Sequence, residues 1–305
     1  MFWKEKNVLV TGADGFAGYH LCNTLVKQGA NLRAFVKPGV INNLTNLKGI
    51  EIIKGDVQDY QSLVSVMQNV DVIFHLAAIT VIPETRAVMA NTFAVNSTGT
   101  LNLLMAAKEK NVKKINYVST CHVYGKQDNL PIKENYIPQP FDIYSASKYS
   151  AELLCLSFVE MFKMDISISR AFNHFGPKQR YEFLIPTIIR KILQHEDLTL
   201  GNPNPTRDFS FVSDITDGYL LLAEYGKAGE VYHFCSGIER TIKSIADDII
   251  EIGNFDVEFK WNPNARKIDL SRSYGDNTKS KKDLGWTPKI SFKEGIDKTI
   301  SFFNK

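Results

Sequence analysis

Apolar residues in the first 170 positions come in short continuous runs, at 7–11, 32–36, 51–53, 71–75, 115–119 and 166–169. Between them lie stretches with helical spacing: 16–29, closed by Gly29, and two longer ones at about 85–110 and 144–164. A strand that is apolar on both faces is covered on both, and strands separated by helices pair in parallel. The pattern predicts an α/β fold with a doubly wound parallel sheet. After Arg170 the rhythm changes, with turn-rich breaks at 202–205, 262–264 and 287–288. We therefore expect a first domain over 1–172 and a smaller C-terminal α/β region over 173–305, with part of 207–235 packing back on the first.

Composition narrows the class. The chain has 305 residues, 44% hydrophobic and 23% charged, which is long enough to bury a full core without metal or disulfide staples. Its net charge of +3 is too weak a bias to imply nucleic acid or an anionic membrane. Cys22, Cys121, Cys155 and Cys235 lie far apart with no CxxC pair, which argues against a metal site and for a reducing compartment. The longest apolar stretch contains His75 and ends at Pro83, and no apolar leader precedes the first strand. The expected setting is cytoplasmic, with no membrane partner.

Three local patterns carry chemistry. Gly12, Gly15 and Gly18 follow a strand and open a helix, where a tight turn and free N–H groups can receive a pyrophosphate. An isolated glycine trio also marks ordinary tight turns, and it is the strand before and the helix after that select the dinucleotide reading. Tyr144 and Lys148 are four apart on a predicted helix, so an ammonium can sit beside a phenol. A nearby cation favours phenolate and brings a pKa of ~10 toward working pH, fitting Tyr144 for proton transfer. Thr120 ends a predicted strand, where a hydroxyl points into the crevice at which such sheets bind ligands. The bland readings are a surface tyrosine over a lysine, and a threonine that caps the next turn.

Taken together, TGADGFAG at 11–18, STCHVYG at 119–125 and YSASK at 144–148 resemble the extended short-chain dehydrogenase/reductase family. The resemblance covers nearly the whole chain. It implies a Rossmann-type sheet, an NAD(P) cofactor and catalysis by Tyr144, Lys148 and Thr120. It also implies cofactor contacts from Gly12, Asp14, Gly15, Phe16, Gly18, Asp56, Val57, Leu76, Ala77, Ala78, Tyr144 and Lys148. Asn96 matches a residue that is chiefly structural in the family, and His75 reads as packed at a strand end. NAD-preferring relatives carry an acid where this chain has Val36. With Arg33 and Lys37 nearby, NADP is slightly favoured.

In the C-terminal half, AFNHFGP at 171–177, TRDF at 206–209 and RKID at 266–269 are similar to segments of nucleotide-sugar enzymes. This makes Asn173, Arg207 and Arg266 the candidate diphosphate ligands. The pattern is nearest to GDP-mannose 4,6-dehydratases and GDP-4-keto-6-deoxymannose reductases. The dehydratases keep an acid after the threonine that matches Thr120, whereas this chain has Cys121-His122. That departure favours simple hydride transfer at hexose C4, by a 4-keto-sugar reductase. A 4,6-dehydratase with Cys121 and His122 as unusual acid/base groups, a 4-epimerase and a non-catalytic dinucleotide scaffold are the alternatives. Cys121 reads narrowly as a buried hydrophobe, and His122 as a hydrogen-bonding contact to substrate. The family's dimers pair the two long helices, which implies a homodimer.

Overall fold

The computed structural model describes residues 2–39, 43–80, 85, 87–263 and 270–304. The first half alternates strand and helix: β1 (Asn7–Thr11), α1 (Phe16–Lys27), β2 (Asn31–Val36), β3 (Ile50–Lys54), α2 (Tyr60–Val66), β4 (Val72–His75), α3 (Met89–Phe93), α4 (Gly99–Glu109), β5 (Lys114–Thr120), α5 (Ile143–Phe162) and β6 (Ile166–Ala171). The second half has shorter pieces. They are β7 (Asn173–Phe175), α6 (Leu184–Leu193), β8 (Thr199–Leu200), β9 (Thr206–Arg207), β10 (Phe209–Phe211), α7 (Val212–Tyr225), β11 (Val231–Phe234), β12 (Arg240–Thr241), α8 (Ile242–Gly253), β13 (Lys260–Trp261), β14 (Arg272–Ser273), α9 (Thr278–Leu284) and α10 (Phe292–Phe303).

Seven strands form the main sheet in the order β3-β2-β1-β4-β5-β6-β11, every pairing parallel. The chain starts mid-sheet, winds outward to β3, then crosses back to β4 and winds the other way. A crevice opens where the direction reverses, at the C-terminal ends of β1 and β4. Alternation along β1 explains the two cores. Val8 and Val10 face Leu21, Leu25, Tyr219 and Leu222 of α1 and α7. Leu9 faces the other way, in one cluster with Leu63, Leu103, Leu104 and Ala151 of α2, α4 and α5.

The seventh strand, β11, comes from the C-terminal half and pairs with β6 residue by residue, Val231 with Ile168 through Phe234 with Ala171. A separate core under the small region joins Phe175, Ile188, Phe209, Phe211, Ile245 and Ile296.

The long helix expected over 85–110 is interrupted. Between α3 and α4 the chain widens into a π-helical turn, Ala94–Thr98. That turn carries Asn96 inward, where its side chain accepts from the Ile79 N–H at 2.8 Å and donates to the Ile79 carbonyl at 3.1 Å and the Ser147 hydroxyl at 3.0 Å. α5 starts under a capping box in which Asp142 accepts from the Ser145 N–H at 2.7 Å. It ends at Phe162, before Lys163 in the left-handed conformation. No described helix is long and apolar enough to cross a membrane.

Candidate active site

The glycine turn sits over the end of β4. Gly12 has φ +66°, and a Cβ there would meet the Ala77 backbone nitrogen at 2.7 Å, so this approach admits only glycine. Gly18 lies against the Gly12 carbonyl in the same way. The Leu76 N–H donates to the Thr11 carbonyl at 3.2 Å and the Ala77 N–H to the Thr11 hydroxyl at 3.3 Å, which lays Leu76, Ala77 and Ala78 along the turn. Gly15 caps α1 without any side-chain bond to the helix's first N–H groups. Uncapped N–H donors behind a turn that excludes side chains fit a dinucleotide pyrophosphate. Asp14 is buried in this turn, its carboxyl pushed up by burial, and its carbonyl accepts from Asn43 at 2.8 Å.

Around the sheet edge, Lys37 follows β2 and pairs with Asp56 at 3.4 Å. Asp56 also accepts from the Gln58 N–H at 2.9 Å, and Val57 is buried against Gly99. Arg33 does not belong to this group. Its guanidinium pairs with Glu51 at 3.2 Å and donates to the carbonyls of Val66 at 3.0 Å and Gln68 at 2.6 Å. Those partners lie where the chain enters β4, at the end of the sheet opposite the crevice. The 2′-phosphate role expected of Arg33 is therefore corrected to a structural one.

Opposite the glycine turn stand Thr120, Tyr144 and Lys148. Thr120 ends β5 and its oxygen accepts from the His122 N–H at 3.2 Å, so it does cap the next turn, and it also hydrogen-bonds the Tyr144 phenol. Tyr144 is in the first turn of α5. The expectation for its phenol is reversed: burial pushes its pKa up, opposed by the Thr120 bond. The Lys148 ammonium lies 4.3 Å over the ring of Tyr117, and burial brings its pKa down to about 8. The phenol is a proton donor at rest.

His122 stands edge-on to Tyr144, ring centroids 6.0 Å apart. Cys121 is 4% exposed and packs with Val123, Tyr124, Phe172 and Cys235. Burial pushes its thiol up to about 12, so its candidate role as an acid/base group is corrected to packing.

On the substrate side, Asn173 in β7 donates to the Asp208 carbonyl at 3.3 Å, which brings it beside Arg207. Arg207 donates to the carbonyls of Thr206 at 2.7 Å and Leu270 at 2.8 Å. Arg266 lies outside the described residues. The two halves meet at Phe16, whose ring is stacked on His174 with centroids 5.6 Å apart. Sequence reasoning missed Asp208, whose buried carboxylate gathers the N–H of Ser236 at 2.7 Å, Gly237 at 2.9 Å and Gly275 at 3.4 Å. It also missed Glu152 and Arg170, ion-paired at 2.6 Å behind Lys148. An arginine in a strand with no other charged residue was the available signal. No group of three or more metal-ligating side chains occurs among the described residues.

This arrangement matches known proteins along its full length. The family model for GDP-mannose 4,6 dehydratase covers residues 9–299. The chain belongs to the nucleotide-sugar epimerase/dehydratase family of extended short-chain dehydrogenases/reductases. It is 32% identical to GDP-6-deoxy-D-mannose reductase of Pseudomonas aeruginosa, over 97% of this chain and 96% of that one. Among solved structures, UDP-glucose 4-epimerase of Thermotoga maritima with UDP-glucose superposes with a TM-score of 0.93 at 28% identity, covering 97% of this chain and 98% of that one. RMD of Pseudomonas aeruginosa complexed with NADPH gives 0.85 at 29%, covering 98% and 99%. As a member of this NAD(P)-dependent family, the protein is an enzyme acting on nucleotide sugars.

Proposed function

We propose that this family member is a 4-keto-sugar reductase acting on a GDP-sugar, and that it works as a homodimer in the cytoplasm with NADP slightly preferred. The observation that carries the reaction is the pair after Thr120. A dehydratase needs one group to take the C5 proton and another to protonate the departing C6 hydroxyl. Here Cys121 is a packed thiol with its pKa near 12, which leaves His122 as the one titratable group of that pair where a dehydratase needs two. Reduction needs only one proton donor, and Tyr144 is held neutral, as a donor must be.

A nicotinamide cofactor, which the Gly12–Gly18 turn and Leu76–Ala78 would hold, would supply the hydride for reduction at hexose C4. Thr120 orients the C4 oxygen, Tyr144 gives it a proton, and Lys148 stabilises the negative charge left on the phenol oxygen. His122 contacts the sugar, and Asn173, Arg207 and Arg266 hold the diphosphate. Lys37, one residue past Val36 and without a carboxylate at that position, supports the 2′-phosphate. Support for the dimer comes from α5 and α4, which leave Leu153, Leu156, Met161, Phe162 and Met105 exposed. All four cysteines are buried and unpaired, which suits the proposed compartment.

The decisive experiment supplies two substrates in D₂O. A GDP-4-keto-6-deoxy-sugar should be reduced at the expense of NADPH, while GDP-mannose should be left unchanged. Loss of water from C5–C6 with deuterium entering C5 would overturn the reductase reading.

A further inference from the structure

Tyr144, Lys148 and Glu152 stand four residues apart on α5, so they run down one helix face at intervals of about 6 Å. Tyr144 is at the mouth of the crevice, while Lys148 and Glu152 are 2% and 0% exposed. The Glu152 carboxylate is fixed from β5 and β6. The Ser119 hydroxyl donates to it, and Arg170 grips both of its oxygens, with Nε at 3.0 and 3.2 Å. Arg170 in turn stacks on the Tyr124 ring at 4.6 Å. The Tyr124 hydroxyl meets His233 Nε2 at 2.6 Å, and His233 Nδ1 lies 3.2 Å from the Asp276 carbonyl. The carboxylate is thus held in one position by a chain of buried contacts.

Around the Lys148 ammonium, β4 presents His75, β5 presents Tyr117 and α5 presents Tyr144, Glu152 and Cys155. The π-helical turn packs on the same stretch of α5 through the uncharged Asn96 and Ser97, both bonded to Ser147, and the short turn after β5, which carries Cys121, His122 and Tyr124, packs on α5 as well. His75, Tyr117, Tyr144, Cys121, Tyr124 and Cys155 are all pushed by burial toward their neutral forms. Glu152 is the acidic side chain in this shell, and Arg170 lies beyond it. A buried Glu–Arg pair contributes little net stability compared with apolar residues of the same volume, so packing alone does not call for one here.

We propose that Glu152 is a positioning residue for catalysis: fixed by Ser119 and Arg170, it keeps Lys148 an ammonium beneath Tyr144. The proposal rests on the reading of Tyr144 as proton donor. When the phenol proton moves to the hexose C4 oxygen, the O–H bond breaks and its electron pair stays on Tyr144. An ammonium one helical turn below stabilises that charge, and a neutral amine does not. Burial works against the ammonium, bringing it to about 8, and Glu152 is the largest influence opposing that fall. Without this carboxylate Lys148 would lose its proton within the working pH range.

The test compares Glu152→Gln, Glu152→Asp and the pair Glu152→Gln/Arg170→Met with the parent, all as full-length protein. Two readings are taken: kcat against pH for reduction of the 4-keto sugar, and the ¹³Cε titration of Lys148 in lysine-labelled protein without substrate, assigned by its loss in Lys148→Met. In Glu152→Gln the alkaline limb and the Lys148 signal should both move down by about one pH unit. Turnover at pH 8 then falls roughly fivefold while the plateau at lower pH is kept. Glu152→Asp should restore the limb. If Glu152→Gln does not fold, the paired variant, which leaves no lone buried charge, should still show a smaller downward shift. A uniform loss of kcat with limb and Lys148 signal unmoved, or an unmoved signal in the paired variant, would overturn the proposal. A shifted Lys148 signal in protein that reduces no 4-keto sugar, parent included, would uphold the charge coupling and reject the reaction instead.

Discussion

His75 Nδ1 lies 2.7 Å from the Thr11 hydroxyl, tying the last residue of β4 to the last of β1 directly under the glycine turn. Nε2 lies 2.9 Å from Thr100, whose own hydroxyl donates to the Asn96 carbonyl at 2.7 Å. Thr100 has therefore given its proton elsewhere, so it accepts from Nε2–H, and Nδ1 accepts from Thr11. The imidazole is neutral, and burial brings its pKa down to about 3, as it does for His233.

Acid lability follows from those two histidines. Between pH 6.5 and about 3 the unfolded chain binds protons that the folded chain refuses, so their contribution is complete above pH 6.5 and lost as pH falls. Each should cost about 1.4 kcal/mol per pH unit through that window. Denaturant unfolding from pH 7 to 4.5 should show a slope that drops by about one proton in His75→Asn and again in His233→Gln. Equal slopes in parent and variants would show that the folded protein protonates these rings freely.

Tyr144→Phe removes the phenol but leaves the ring, the Lys148 ammonium and the glycine turn. Turnover should fall ~10²-fold or more while the cofactor dissociation constant stays within a few-fold, measured by stopped-flow and by cofactor fluorescence. Wild-type turnover in this variant would remove Tyr144 from the chemistry.

Asn173 and Arg207 are brought side by side through Asp208, yet only their sequence context assigns them to a diphosphate. Asn173→Ala should raise KM for the nucleotide sugar about tenfold with kcat much less affected, since a lost ground-state contact appears in KM. Arg207→Lys keeps the charge but loses the fork and should do the same. A fall in kcat alone would move both residues away from the diphosphate.

The exposed row on α5 gives the assembly prediction. Leu153 is 49% and Met161 69% exposed. Light scattering should give twice the 34.4 kDa chain mass for the parent, and the single-chain mass for Leu153→Glu/Met161→Glu. A parent chain that is monomeric at working concentration would reject the dimer.

Local chemistry was legible in the sequence, and long-range placement was not. Gly12, Gly18, Tyr144 and Lys148 announce themselves because a turn or one helical repeat sets their geometry. Arg33 was misread although counting would have warned against it: three residues of strand place it about 10 Å before Val36, away from the strand's ligand-binding end. Glu152 and Arg170 are 18 residues apart in sequence and meet only because β6 lies under α5. The π-helical turn at Asn96 carries no local signal either, since its width is set by what the side chain must reach.

The position of β11 has a consequence for how the protein is made. During synthesis β6 is an open sheet edge, with the N–H groups of Ile168 and Phe172 unpaired on that side until residues 230–234 have left the ribosome. The first half therefore has no finished form of its own. A chain interrupted anywhere between 172 and 230 would present a bare parallel strand to its neighbours, the kind of edge on which nascent chains aggregate.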